Sequence, residues 1–76
     1  MQTIGTAKHM ALIALLAGQR RQAGLRQIDV AKRLREHQSW VARVESGQRR
    51  IDVIEFLRLA KAIGFSASDL IKKLED

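Results

Sequence analysis

Residues 24–64 read GLRQIDVAKRLREHQSWVARVESGQRRIDVIEFLRLAKAIG. Two short stretches within it, from Gln27 to Leu34 and from Gln38 to Ser46, place apolar side chains at helical spacing, and the second begins four residues after the first ends. In the first, Val30, Ala31 and Leu34 fall on one side of a helix; in the second, Val41 and Val44 do, leaving Gln38, Ser39, Ala42 and Arg43 on another face. Small Ala31 lets the neighbouring helix approach closely. Gly47 follows where the second stretch should stop, and Gly24 stands just before the first.

Around this pair the chain reads as three further helices, so the expected fold class is all-α. Thr6 is placed to cap a first helix over about Ala7 to Ala23, with Gly24 as the left-handed residue that ends it. Asp52 with Glu55 three residues on has the form of a capping box. It opens a fourth helix in which Ile54, Leu57, Ala60 and Ile63 recur until Gly64. Ser66 with Asp69 opens a fifth in the same way, carrying Leu70, Ile71 and Leu74. No window alternates as a strand would, and proline is absent.

Charge is distributed unevenly. Between residues 20 and 50 nine lysines and arginines stand against three carboxylates, Asp29, Glu36 and Glu45, whereas elsewhere the two signs balance, so the whole net charge of +6 falls on the central unit. A one-sided field of this kind points to a polyanionic partner. Two short helices in this layout, the second with a polar outer face and basic neighbours, form a helix-turn-helix suited to the major groove of double-stranded DNA. Gln38, Ser39, Ala42 and Arg43 are then the groove-facing candidates; a glutamine amide can pair with adenine and a guanidinium with guanine.

Length and composition bound the alternatives. Seventy-six residues suffice for a single domain, expected over 1–76, with a modest core. The chain has no cysteine, which removes disulfides and fits a cytoplasmic setting. The apolar run from Met10 to Ala17 is far short of the roughly 20 residues that span a bilayer, so no membrane partner is expected. As a signal sequence it would, on cleavage near Ala17, take with it a helix that the core needs. His9 and His37 have no ligand-spaced companions, so neither a metal nor another cofactor is expected. Ser39 near His37 lacks an acidic residue to orient the histidine, so the chain is not expected to be an enzyme.

The ordered set Arg20, Gly24-Leu25, Gln27, Val30-Ala31, Leu34, Gln38-Ser39, Val41, Val44-Glu45, Gly47, Arg49-Arg50, Leu57, Ala60 and Ile63-Gly64 resembles the lambda-repressor-like family of DNA-binding domains, the Cro and XRE type. The resemblance covers nearly the whole chain and implies a compact five-helix domain. It implies that Gln27 bonds a phosphate and steadies the first residue of the recognition helix. By the same resemblance Gln38, Ser39 and Arg43 read base edges, Arg49 and Arg50 hold the DNA backbone, and Arg20 and Glu45 form a buried salt bridge. A bacterial or phage transcriptional regulator is implied, a repressor acting as a homodimer on a palindromic operator. The alternative is an antitoxin-type protein that chiefly binds a partner such as a toxin and regulates its own gene.

Several residues depart from the family pattern. Arg26 stands where a threonine or serine usually caps the second helix, and its charge opposes the helix dipole unless a phosphate lies beside it. Arg35 replaces the turn glycine and is expected in a left-handed conformation at about 1 to 2 kcal/mol; it joins Arg26 among the phosphate-contact candidates. His37 replaces the cap of the recognition helix, and Ala42 a frequent serine. Trp40 is expected to pack on the following loop, with its indole N–H within reach of a phosphate. Leu12 and Leu15 exceed what one helix face needs, so either the fifth helix covers them or they join a dimer seam, for which Phe65, Ile71 and Leu74 are the other candidates.

Overall fold

The computed structural model describes residues 5–75, and its elements are α1 (Ala7–Gln22), α2 (Gln27–Leu34), α3 (Gln38–Glu45), α4 (Val53–Ile63) and α5 (Ala67–Glu75). Among the described residues there is no strand. The helix ends follow local chemistry. Thr6 Oγ1 accepts from the His9 N–H at 3.1 Å, satisfying one of the free donors at the start of α1. At α4 the capping box is complete: Asp52 Oδ1 accepts from the Glu55 N–H at 2.7 Å, and Glu55 Oε1 accepts from the Asp52 N–H at 2.9 Å. For α5, Ser66 Oγ accepts from the Asp69 N–H at 3.3 Å. Ala23 and Ser46, read as helical from the sequence, are the residues that cap α1 and α3.

α2 packs against both α3 and α4, while α1 lies against α3 and α5, so the core is enclosed by all five helices. Val30, Val41 and Val44 are its largest fully buried side chains, joined by Leu16 from α1, Leu59 from α4 and Leu70 from α5. Each such side chain contributes about 1.5 to 3 kcal/mol through burial. Gly47, just after α3, has φ +81°, and a Cβ built there would meet the Met10 sulfur at 3.2 Å. Both the backbone sign and the close approach of α1 therefore call for glycine.

The inward face of α4 differs from the sequence reading. Phe56, Leu59, Ala60 and Ile63 are buried, whereas Ile54 is 66% and Leu57 49% exposed. A spacing of three falls short of the 3.6-residue turn, so nine residues from Ile54 bring Ile63 roughly half a turn round the helix. Phe56 and Leu59 restore the alternating three-and-four step, and Phe65 extends their layer, its ring centroid 5.9 Å from that of Phe56.

Two arginines bind α2 to α4 through helix ends. Arg58 Nη2 donates to the Leu34 carbonyl at 2.6 Å, at the end of α2, and Arg33 Nη1 donates to the Ala62 carbonyl at 2.7 Å, at the end of α4. Each cation thus meets carbonyls that have no helical partner, at the negative end of the dipole. Lys8 Nζ donates to the Leu74 carbonyl and ties α1 to α5 similarly. His9 is buried in α1, and its Nε2 has no hydrogen-bond partner among the described residues.

Between α2 and α3, Arg35 adopts φ 58°, ψ 40°, and it is the non-glycine residue with positive φ among those described. Its Cβ crowds the backbone in that region, a cost that glycine does not bear. Arg35→Gly is expected to raise stability by about 0.5 to 1 kcal/mol, or roughly 2 to 8 °C in Tm for a domain of this size. Thermal unfolding followed by circular dichroism measures this, and an unchanged or lower Tm would show that the turn is not strained.

Candidate nucleic-acid interface

α3 carries one face into the core and one outward. Val41 and Val44 are buried, while Gln38, Ser39 and Arg43 are exposed and Ala42 is half-buried beside them. The Arg43 side chain makes no ion pair or hydrogen bond among the described residues, so its guanidinium is unengaged. Ser46 Oγ donates to the Arg43 carbonyl and helps close the end of α3. At the other end His37 is the N-cap residue but offers no side-chain cap bond, which leaves the first N–H groups of α3 open to an outside acceptor.

The structure brings Arg20, Glu45, Gln27 and Gln38 together in one network. Arg20 grips Glu45 in a two-pronged bond, Nε to Oε2 at 2.6 Å and Nη2 to Oε1 at 2.9 Å, and its Nη1 donates to the Leu25 carbonyl at 2.9 Å. The two side chains are only 10% and 11% exposed. Gln27 Nε2 donates to Glu45 Oε1 at 3.0 Å, and Gln38 Nε2 donates to Gln27 Oε1 at 2.8 Å. Burial alone pushes the Glu45 carboxyl up, yet the hydrogen bonds from Arg20 and Gln27, with the nearby arginine charges, outweigh it and hold the group below its usual 4.5.

Two of the sequence candidates have their charges engaged elsewhere. Arg26 is exposed and turned on Asp29, with Nη2 to Oδ1 at 3.0 Å and Nε to Oδ2 at 3.1 Å. Asp29 Oδ2 also accepts from the Arg26 backbone N–H at 2.8 Å, so the carboxylate caps α2 while Arg26, having only donors, cannot. These bonds hold the Asp29 carboxyl down to about 2. Arg49 pairs with Glu55 at 2.8 and 3.0 Å, donates to the Arg50 carbonyl, and lies 5.0 Å over the half-buried Trp40 ring. Trp40 therefore packs on the 47–52 loop through a cation–π contact. Arg35 and Arg50 are exposed, without a side-chain ion pair among the described residues.

Of the seam candidates, Phe65 is half-buried on Phe56, Leu74 is half-buried beside Leu12, and Ile71 is 41% exposed. Leu12 and Leu15 are half-buried against the core. Sequence reasoning missed the α2–α4 clasp of Arg33 and Arg58. The Arg26–Asp29 pair carried a usable signal, because residues three apart share a helix edge. Among the described residues no helix is long and apolar enough to cross a membrane, and no three metal-ligating side chains cluster.

The family described as Helix-turn-helix domain matches residues 11–71 of this chain. The structure is similar to that of an XRE-family like protein from Pseudomonas syringae pv. tomato str. DC3000, with 42% identity and a TM-score of 0.89 over 96% of this chain and 89% of that one. It is also similar to the restriction-modification controller protein C.AhdI from Aeromonas hydrophila, with 29% identity and a TM-score of 0.78 over 86% of this chain and 98% of that one. The clp gene regulator ClgR from C. glutamicum, at 20% identity and a TM-score of 0.82 over 92% of this chain and 91% of that one, shares the fold. A search of curated protein sequences returned no match.

The buried ion pair makes a stability prediction. Glu45→Ala leaves the Arg20 charge unpaired in a nearly dry site and is expected to cost about 3 to 5 kcal/mol. A carboxyl held low in the folded state adds stability above its unfolded value and loses it as pH falls through the folded value. The Glu45 contribution should therefore be complete above about pH 5 and fade below about pH 4.5, and Glu45→Gln should flatten that acid limb. Urea titrations from pH 7 to pH 2.5 measure both effects. A Glu45→Ala protein as stable as the parent would mean the pair is not a structural link.

Proposed function

This chain belongs to the helix-turn-helix family of the Cro and XRE type, a family of DNA-binding transcription regulators, and we propose that it is a repressor that binds a palindromic operator as a homodimer. In this reading residues 1–76 form one DNA-binding domain working in the cytoplasm. The observation that carries the reading is the outer face of α3, where Gln38, Ser39 and the unengaged Arg43 project together beside the most basic part of the chain. Membership points to a binding rather than a catalytic protein.

Gln38, Ser39 and Arg43 read base edges in the major groove, and Arg50, Arg35 and Gln27 bond phosphates on either side. Gln27 retains one N–H for a phosphate after its bonds to Glu45 and Gln38. Arg26 and Arg49 reach a phosphate only with the N–H groups their carboxylates leave free, so their weight in affinity is smaller. The Trp40 indole flanks the same loop.

Dimerisation is supported by an apolar face on α4 and α5, outside the α2–α3 pair. Val53, Leu57 and Ile71 are all more than 40% exposed and border a hollow lined also by Leu12, Phe56 and Leu74, and Ile54 on the same helix is 66% exposed. Burying such a patch against its two-fold copy would hold two recognition helices one helical turn of DNA apart. Phe65, already packed on Phe56, lies at the margin of this seam.

Titrating Trp40 emission with a duplex enriched from a randomised pool tests the proposal. Two chains per duplex are expected, with log affinity falling by about 0.9 per log unit of salt for each neutralised phosphate. Arg43→Ala should cost about 1 to 3 kcal/mol and relax preference at one base pair per half-site, whereas Arg50→Ala should weaken all sequences alike. One chain per duplex with indifference to half-site spacing would rule out the dimer. A stoichiometric protein partner recovered from the host without enriched DNA would favour an antitoxin role.

A further inference from the structure

Two hydrogen bonds run in series from the buried ion pair to the surface of α3: Glu45 Oε1 accepts from Gln27 Nε2 at 3.0 Å, and Gln27 Oε1 accepts from Gln38 Nε2 at 2.8 Å. Each bond has a direction that chemistry imposes. An ionised carboxylate only accepts, so the end of the Gln27 amide that faces Glu45 must be the NH2 group. The Gln27 carbonyl is thereby turned toward Gln38, and it too can only accept. Gln38 must in consequence give one of its N–H groups to Gln27. Its carbonyl oxygen and second N–H are what remain for an outside partner. Arg20 holds the origin of this chain in place through its two bonds to the same carboxylate.

We propose that Glu45 is a specificity-determining positioning residue, which acts through Gln27 to fix the orientation of the Gln38 amide before DNA is met. The inference rests on the reading that α3 enters the major groove. An amide presenting both an acceptor and a donor matches adenine, whose N6 amino group donates and whose N7 accepts. Guanine offers two acceptors there, O6 and N7, and suits an amide turned to present its NH2 group outward. A glutamine free to rotate could serve either base; one held by Gln27 cannot flip without breaking the bond to an acceptor that has no proton to offer. Ordering the side chain in advance also removes an entropic cost of binding.

The test compares A·T with G·C at the base pair that Gln38 contacts, identified as the position where Gln38→Ala loses discrimination. Binding of the parent, Gln27→Met and Glu45→Gln is measured on matched duplexes. Gln27→Met keeps the Arg20–Glu45 pair and removes the middle link. The parent should prefer adenine by about ten-fold, and each variant should fall to within about two- to three-fold there, while discrimination at the Arg43 position stays as in the parent. A merely structural role, or a lost phosphate bond from Gln27, would weaken all duplexes in parallel and leave that ratio unchanged, which would overturn the relay. Gln38→Ala without effect on any base preference would overturn it differently, by removing the reading on which it rests. Should Glu45→Gln fail to fold, the free protein gives a second readout: the Gln38 side-chain amide protons should exchange with solvent more slowly than those of exposed Gln48, and Gln27→Met should abolish the difference. Equal exchange in the parent would also overturn the proposal.

Discussion

The ion pair between Arg20 and Glu45 joins the last turn of α1 to the last residue of α3, and the placement of α3 depends on it. Charges this far from water are tolerable only when both partners are well bonded. Here the guanidinium is satisfied by both carboxylate oxygens and the Leu25 carbonyl, and the carboxylate by Arg20 and Gln27. That requirement is geometric: α1, the turn before α2 and α3 must meet in one arrangement for every bond to form. Hydrophobic burial of Val30, Val41 and Val44 would by itself permit small rotations of α3, whereas a forked bond to a nearly dry carboxylate does not. The exposed end of α3 inherits this rigidity through Gln27 and Gln38.

Net charge overstates how many arginines are free to meet a polyanion. Arg20, Arg26, Arg49 and Arg58 each have a carboxylate, and Arg33 and Arg58 serve as clasps on helix-end carbonyls. Among the described residues, the arginines whose side chains make no ion pair or hydrogen bond are Arg21 near the end of α1, Arg43 on the outer face of α3, and Arg35 and Arg50 in the flanking turns. In the proposed reading, the long-range field draws DNA in through all of the charges, paired or not, and local contacts fall to the unengaged set.

Much of the fold was legible in the sequence because helix ends are decided locally. Thr6, Asp52 with Glu55, Gly24, Gly47 and Gly64 mark boundaries through bonds or backbone signs that involve only near neighbours. The face of α4 was misread because Ile54 and Leu57 are as apolar as Phe56 and Leu59, and periodicity alone did not reveal which stripe the core would cover. The family resemblance drew attention to Arg20, Glu45, Gln27 and Gln38 one by one. Their connection into a single directed chain exists only once α1, α2 and α3 have packed, as do the Arg33 and Arg58 clasps and the placement of Arg49 between Glu55 and Trp40. Such bonds link residues six to twenty-nine positions apart and leave no periodic trace.

The central claim is that DNA is met by α3 and the turns beside it, with the buried network acting as an unmoving base. Mapping backbone and side-chain amide shifts by NMR, on adding a duplex selected from a random pool, tests this most directly. The account predicts the largest changes at residues 26–28, 37–43 and 48–50, with the Arg20 Nε–H signal retained in its hydrogen-bonded position. Changes centred on α4 and α5 with α3 undisturbed, or no saturable change with any duplex, would contradict it.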